Sequence, residues 1–172
     1  VGSSRPVCSR AGNPMKVTKP HRVTRSYTQT LAGPPEEVFP LLCPVRELDW
    51  VNGWNPDLVV TESGFAEIDC VFVTPGTPED AVWVVTHHDP DHGHLELLKL
   101  ITGVVVGKIV IRLQAIAEGT SADVSYTYTA LSPHGEAAID GFTQEHFDRF
   151  MKAWEEELNH YLLTGEKLTR PT

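Results

Sequence analysis

DVSYTYTAL (residues 123–131) runs through SPHG (132–135) into EAAIDGFTQEHFDRFMKAWEEELNHYLL (136–163). The first stretch alternates, with Val124, Tyr126, Tyr128 and Ala130 on one face and Asp123, Ser125, Thr127 and Thr129 on the other. Beyond the Pro/Gly break the apolar period lengthens. Ile139, Phe142, His146, Phe150, Trp154, Leu158 and Tyr161 recur at steps of three or four, and Phe147, Met151 and Leu162 widen the stripe. This spacing predicts one amphipathic helix from about Gly135 to Leu163, about 40 Å long. Gly141 is a place where it can bend. A helix of that length is covered only if a sheet wraps it.

Working back towards the N-terminus, the pattern supplies such a sheet. Arg22 to Leu31 alternates as a first strand, with Val23, Arg25, Tyr27, Gln29 and Leu31 sharing a face. Ala32-Gly33-Pro34-Pro35 stops it, and Glu36-Glu37 complements the positive end of a short helix that Pro40 keeps irregular. A second short helix is expected over Val45 to Trp50. Strands follow at Leu58–Glu62, Glu67–Thr74, Ala81–His88, His94–Ile101, Lys108–Glu118 and Ser121–Leu131. Their separators are too short for crossover helices, so the sheet is antiparallel. The predicted class is α+β: seven curved antiparallel strands around a long C-terminal helix, with two short helices after the first strand.

Composition narrows the function classes. With 172 residues and 41% hydrophobic content, the chain has the size and apolar share of one domain. Residues 1–20, rich in Ser, Arg, Pro and Gly, are expected to be a disordered extension. The domain is placed at 21–165 and a flexible tail at 166–172. Net charge is −9, but six basic residues precede Glu36, the first acidic one. The remainder carries eight basic against 23 acidic residues, about −15. A body that acidic repels phosphate backbones and anionic bilayers, so neither nucleic acid nor membrane insertion is expected. Cys8, Cys43 and Cys70 are odd in number and widely spaced. They are read as reduced and structural, in keeping with a cytoplasmic protein.

The order strand, two small helices, six antiparallel strands and long C-terminal helix resembles the helix-grip fold of the START/Bet v 1-like superfamily, the polyketide cyclase/dehydrase and lipid-transport group. PPEEVF (34–39) resembles its approach to the first helix, and WVVT (83–86) a mid-sheet strand. The resemblance spans residues 21 to 163 and implies a cavity between sheet and helix. Relatives with this fold include transporters, receptors, cyclase-like and hydrolase-like enzymes and co-chaperones, so the resemblance selects no activity.

Candidate site residues follow from chemistry and position. Tyr126 and Tyr128 face the helix, where their hydroxyls need a partner: a ligand group, an ordered water or another core residue. His146 lies between Phe142 and Phe150 and titrates near neutrality. RELDWVNGW (46–54) places Glu47, Asp49, Trp50 and Trp54 together; if this turn forms the cavity mouth, as the resemblance implies, the indoles wall a ligand and a carboxylate fixes its polar end. HHDPDHGH (87–94) offers metal-ligand residue types, with His88 and His94 able to meet across the hairpin, but a solvated turn is the stronger reading. No metal and no cofactor are expected.

The expected function is binding of a small hydrophobic molecule, aromatic, polyketide-like or lipid-like, by Trp50, Trp54, Trp83, Tyr126, Tyr128, Phe142, His146 and Phe150. The alternative is an enzyme in which His146 or Asp49 moves a proton while Tyr126 or Tyr128 stabilises an enolate-like oxygen. A third reading is a protein-interaction domain presenting a groove or a Trp50/Trp54 surface to a partner helix.

Overall fold

The computed structural model describes residues 15–77 and 79–169. Seven strands form one antiparallel sheet: β1 (Arg22–Leu31), β2 (Leu58–Val60), β3 (Val71–Thr74), β4 (Ala81–Asp89), β5 (His94–Ile101), β6 (Val105–Ile116) and β7 (Gly119–Ala130). Their spatial order is β1-β7-β6-β5-β4-β3-β2, so the first strand returns beside the last and the rest is a meander. The curved sheet carries α2 (Pro133–Gly141) and α3 (Gln144–Thr164) on its inner face; α1 (Pro35–Val38) and two 3₁₀ turns, Phe39–Leu41 and Arg46–Asp49, follow β1. Class, strand number and antiparallel order are as the sequence predicts. Of the expected terminal extension, residues 1–14 and 170–172 lie outside the described residues, while 15–20 carry no regular structure.

Three expectations need correction. The C-terminal helix is two helices, broken at Phe142 (φ −85°, ψ 68°). Thr143 is the reason: its side chain accepts the His146 N–H at 3.1 Å and starts a new helix. Continuous spacing hides such a cap because apolar residues recur on both sides of it. Second, Glu67 to Cys70 is a turn rather than strand, and Asp69 sits at φ 63°. The Glu67 carboxylate accepts from Ser63, Thr61 and the Glu62 N–H, which hold its pKa down at about 2. Third, the buried line of α3 is Phe147, Met151, Glu155 and Leu158, rotated one position from His146 and Phe150, which are exposed.

That line packs on the apolar rows of the long strands, including Leu95, Ile109, Ile111, Leu113, Ala122 and Val124. The helix is also tied by polar groups to β1, an edge strand. Glu155 accepts the Thr30 N–H at 2.9 Å and the Tyr27 hydroxyl at 3.2 Å. Asn159 accepts from Ala32 N–H at 2.8 Å and donates to Thr30 O at 2.9 Å, and the buried Gln29 amide donates to Met151 O at 3.0 Å. Helix side chains thus satisfy backbone groups at the end of an edge strand. Glu155→Ala removes the acceptor of the part-buried Thr30 N–H and of the Tyr27 hydroxyl and is expected to cost about 1–3 kcal/mol, read as a lowered urea midpoint with unchanged slope.

Candidate functional site

Ladder pairing aligns one residue from each of five neighbouring strands. Phe72 of β3 pairs with Trp83 of β4, Trp83 with Lys99 of β5, Lys99 with Gly107 of β6, and Gly107 with Tyr128 of β7. Paired residues share a face, so these five positions make one row across the concave side. Phe72 and Trp83 stack at 5.4 Å with planes 8° apart. The Lys99 ammonium lies over Trp83 at 4.7 Å and 5.9 Å from the Tyr128 ring centre. Gly107 is what admits this arrangement: a Cβ there would stand 2.6 Å from Tyr128 Cε1 and 3.4 Å from Lys99 Cβ.

Between this row and α3 is a cavity of ≈ 600 Å³. Trp54 and Tyr126 add to its rings, and Phe142, His146, Phe150 and Trp154 close the helix side. The chain break at Phe142 positions that ring, which meets Tyr128 edge-on at 4.9 Å and Phe147 at 5.5 Å, while its carbonyl accepts from Arg25 at 3.1 Å. Exposed Asn52, Gly53, Asn55, His146 and Phe150 make the mouth.

The polar atoms of this wall divide into two sets. Both indole N–H groups are satisfied by protein: Trp54 donates to Pro44 O at 2.7 Å and Trp83 to Thr74 Oγ1 at 2.9 Å. Their rings therefore present only apolar faces. By contrast, the Tyr126 and Tyr128 hydroxyls, the Lys99 amine and the Glu47 carboxyl make no hydrogen bond or ion pair among the described residues. Burial raises the pKa of Glu47 to about 8 and that of Tyr128 to about 12; it pushes Tyr126 higher still and Lys99 down. The Tyr126 and Tyr128 rings meet edge-on at 6.1 Å, and Glu47 lines the same cavity. At neutral pH the site holds protonated phenols, a mostly neutral carboxyl and an amine of weakened basicity.

The sequence-predicted residues separate accordingly. Trp54, Trp83, Tyr126, Tyr128, Phe142, His146 and Phe150 line the cavity. Trp50 does not: it is fully buried, donates to Leu41 O at 3.1 Å and packs on Trp154 at 4.9 Å. It closes the core and presents no surface to a partner. Asp49 points away as well, ion-paired with Arg46 at 2.9 Å. Across the β4–β5 hairpin it is His87, not His88, that packs on His94, with ring centres 4.2 Å apart, because pairing Asp89 with His94 sets the register; His88 turns to Phe39 at 5.1 Å. No three metal-ligand side chains converge among the described residues.

Sequence reasoning missed Lys99 and Gly107. A signal existed for the lysine: Leu95, Leu97, Lys99 and Ile101 alternate on one face, and only Lys99 is polar. Gly107 carried none, because its effect depends on which residues stand beside it on neighbouring strands.

Solved structures share the fold. A Rhodobacter sphaeroides protein superposes with TM-score 0.62 at 18% identity, over 83% of this chain and 93% of its own. Norcoclaurine synthase from Thalictrum flavum gives 0.65 at 10%, over 94% and 99%. Its complex with dopamine and hydroxybenzaldehyde gives 0.61 at 11%, over 88% and 97%. This chain has a helix-grip fold of the Bet v 1/START-like kind. No protein-family model matches the sequence, and no curated protein matches it significantly. None of the helices is long and apolar enough to cross a membrane, among the described residues.

Two outcomes are expected here. Gly107→Ala forces Tyr128 off Lys99 and costs about 1–3 kcal/mol by overpacking, with the Tyr128 ring resonances displaced in NMR spectra. Glu47 makes stability depend on pH. Its carboxyl keeps its proton in the fold up to about pH 8 but loses it near the ordinary value of 4.5 when unfolded. The folded state thus binds more protons between those values, and stability falls as pH rises through that window. Glu47→Gln is expected to remove this slope, seen in urea midpoints measured from about pH 4 to about pH 9.

Proposed function

We propose that the chain binds a small, uncharged aromatic molecule bearing oxygen substituents in the cavity between the sheet and α3. The observation that carries this reading is the division of polar atoms on the wall: satisfied indoles supply apolar ring faces, while two phenols, an amine and a carboxyl point inward without protein partners. Buried polar groups find hydrogen-bond partners, so an apolar framework with a few oxygen functions matches this wall better than a plain hydrocarbon. A volume of ≈ 600 Å³ is within the usual range for a small-ligand site. The acidic body argues against anionic ligands, whose approach it repels.

Solved examples give support at the level of the fold. Norcoclaurine synthase has been captured with dopamine and hydroxybenzaldehyde, so a helix-grip framework accommodates single-ring phenols. The edges of the Phe72–Trp83 stack, with Phe142 and Phe150 on the helix side, supply aromatic contacts here, the Lys99 ammonium already lying over Trp83. His146 at the mouth would contact the outer end of a ligand rather than its buried end. A partner-helix reading loses its Trp50/Trp54 surface, since Trp50 is buried.

An amide- and aromatic-resolved NMR titration against naphthols, flavonoid-like phenols and fatty acids tests the proposal. Saturable shifts at Trp83, Tyr126, Tyr128 and Phe142 with the phenols are expected, weakened about tenfold or more by Trp83→Ala through loss of ring contact. Shifts confined to the outer sheet face, or an unchanged spectrum across the panel, would reject it.

A further inference from the structure

Lys99 stands apart from the other described lysines. Lys108 is paired with Glu96 at 3.1 Å and Lys152 with Glu155 at 3.6 Å, Lys167 donates to Val51 O at 3.1 Å, and Lys16 and Lys19 are exposed. In a body carrying 23 carboxylates, Lys99 alone among the lysines of the sheet and helices meets neither carboxylate nor carbonyl. It projects from the middle of the sheet into the cavity, between the Trp83 and Tyr128 rings. Gly107 beside it contributes no side chain, so the space above that strand is left to the Tyr128 ring and the lysine stem.

An ammonium whose whole purpose was to stabilise the fold would be expected to find an anion. The Trp83 face attracts the charged form of the amine, but it does not neutralise the charge. Desolvation works in the other direction and raises the fraction of neutral amine, the form that is nucleophilic. Tyr128, whose ring centre is 5.9 Å from the amine, keeps its proton at neutral pH.

We propose that Lys99 is an imine-forming nucleophile and that the oxygenated aromatic ligands of this cavity include aldehydes and ketones held with their carbonyl carbon against Nζ. The inference rests on the cavity being a ligand site. The neutral amine attacks the carbonyl carbon; the new C–N bond forms as the C=O π pair moves to oxygen. That oxygen takes up a proton and the nitrogen gives one up, leaving a neutral carbinolamine. Protonation of its hydroxyl lets the C–O bond break with loss of water. The nitrogen lone pair closes the C=N bond, and the nitrogen proton returns to solvent. Aldehyde plus amine thus become imine plus water, with no oxidant or reductant. Tyr126 and Tyr128 are the donors available to the developing oxygen charge, and water returning through the mouth reverses the step. Such an imine withdraws electrons from the carbon next to the former carbonyl, the basis of amine-catalysed proton transfer and carbon–carbon bond formation.

The test is reductive trapping on the full chain. 2-Naphthaldehyde is added at about one equivalent at neutral pH with cyanoborohydride, and the modified lysines are located by peptide mass mapping, alongside an NMR titration with the same aldehyde in the absence of reductant. The expected result is a naphthylmethyl group on Lys99 at about ten times the occupancy of any surface lysine, with half-maximal labelling at a lower pH than theirs. 2-Naphthol, which has the rings and an oxygen but no carbonyl, should suppress labelling of Lys99 and leave Lys16 unaffected. Lys99→Met should abolish the dominant adduct, and the wild-type site map decides the matter if that variant fails to fold. Cavity shifts with labelling spread evenly over the surface lysines would overturn the imine and leave the binding site standing. Neither cavity shifts nor a Lys99 adduct would overturn both.

Discussion

The contact between α3 and the end of β1 is the constraint on which the rest depends. An edge strand exposes unpaired backbone groups, and a helix crossing a concave sheet has no ladder to fix its position. Here each solves the other's problem. Glu155 and Asn159 occupy the Thr30 N–H, the Thr30 carbonyl and the Ala32 N–H, and Gln29 reaches back to a carbonyl of the helix. With that end pinned, Phe147, Met151 and Leu158 reach the apolar rows of the sheet. The opposite flank of the helix, carrying His146, Phe150 and Trp154, is left as the lid of a cavity rather than a core contact.

The same placement explains why a protein of this size keeps a large internal space. Trp50, fully buried against Trp154, fills the region beneath the 3₁₀ turns and supports the helix there. Beyond it, two rings of the wall, Trp54 and Trp83, are fixed by their own hydrogen bonds, which hold them against collapsing inward. The interruption at Phe142 adds a ring to that wall that a straight helix would carry elsewhere. Unpartnered phenols, amine and carboxyl then line a space of low polarity, where each has its acid–base behaviour moved in the direction burial dictates. Perturbed groups gathered in one cleft are the usual mark of a functional site.

Local pattern was a good guide to what repeats. Alternation in residues 123–130 identified the inward face of β7, including Tyr126 and Tyr128, and short polar separators made the sheet antiparallel. Pattern was a poor guide to what interrupts. Thr143 ends one helix and caps another within an unbroken apolar stripe, and Asp69 shortens a strand with a backbone angle no composition announces. Trp50 and Asp49 had the chemistry of a site, but one is consumed by the core and the other by its neighbour Arg46. Which of two adjacent side chains faces inward on an irregular turn is not a periodic property.

By itself the sequence determined the class of fold, the order of its elements, the acidic character of the body and the faces of its long strands. Those follow from side-chain periodicity, turn chemistry and charge, all of which are local or additive. Only the tertiary structure decided the composition of the cavity. Trp83, Lys99, Gly107 and Tyr128 come from four strands and become neighbours through ladder register alone. Register is a relation between distant segments, fixed when the sheet closes and the helix docks, and it is what places a lysine without a counter-ion between two aromatic rings.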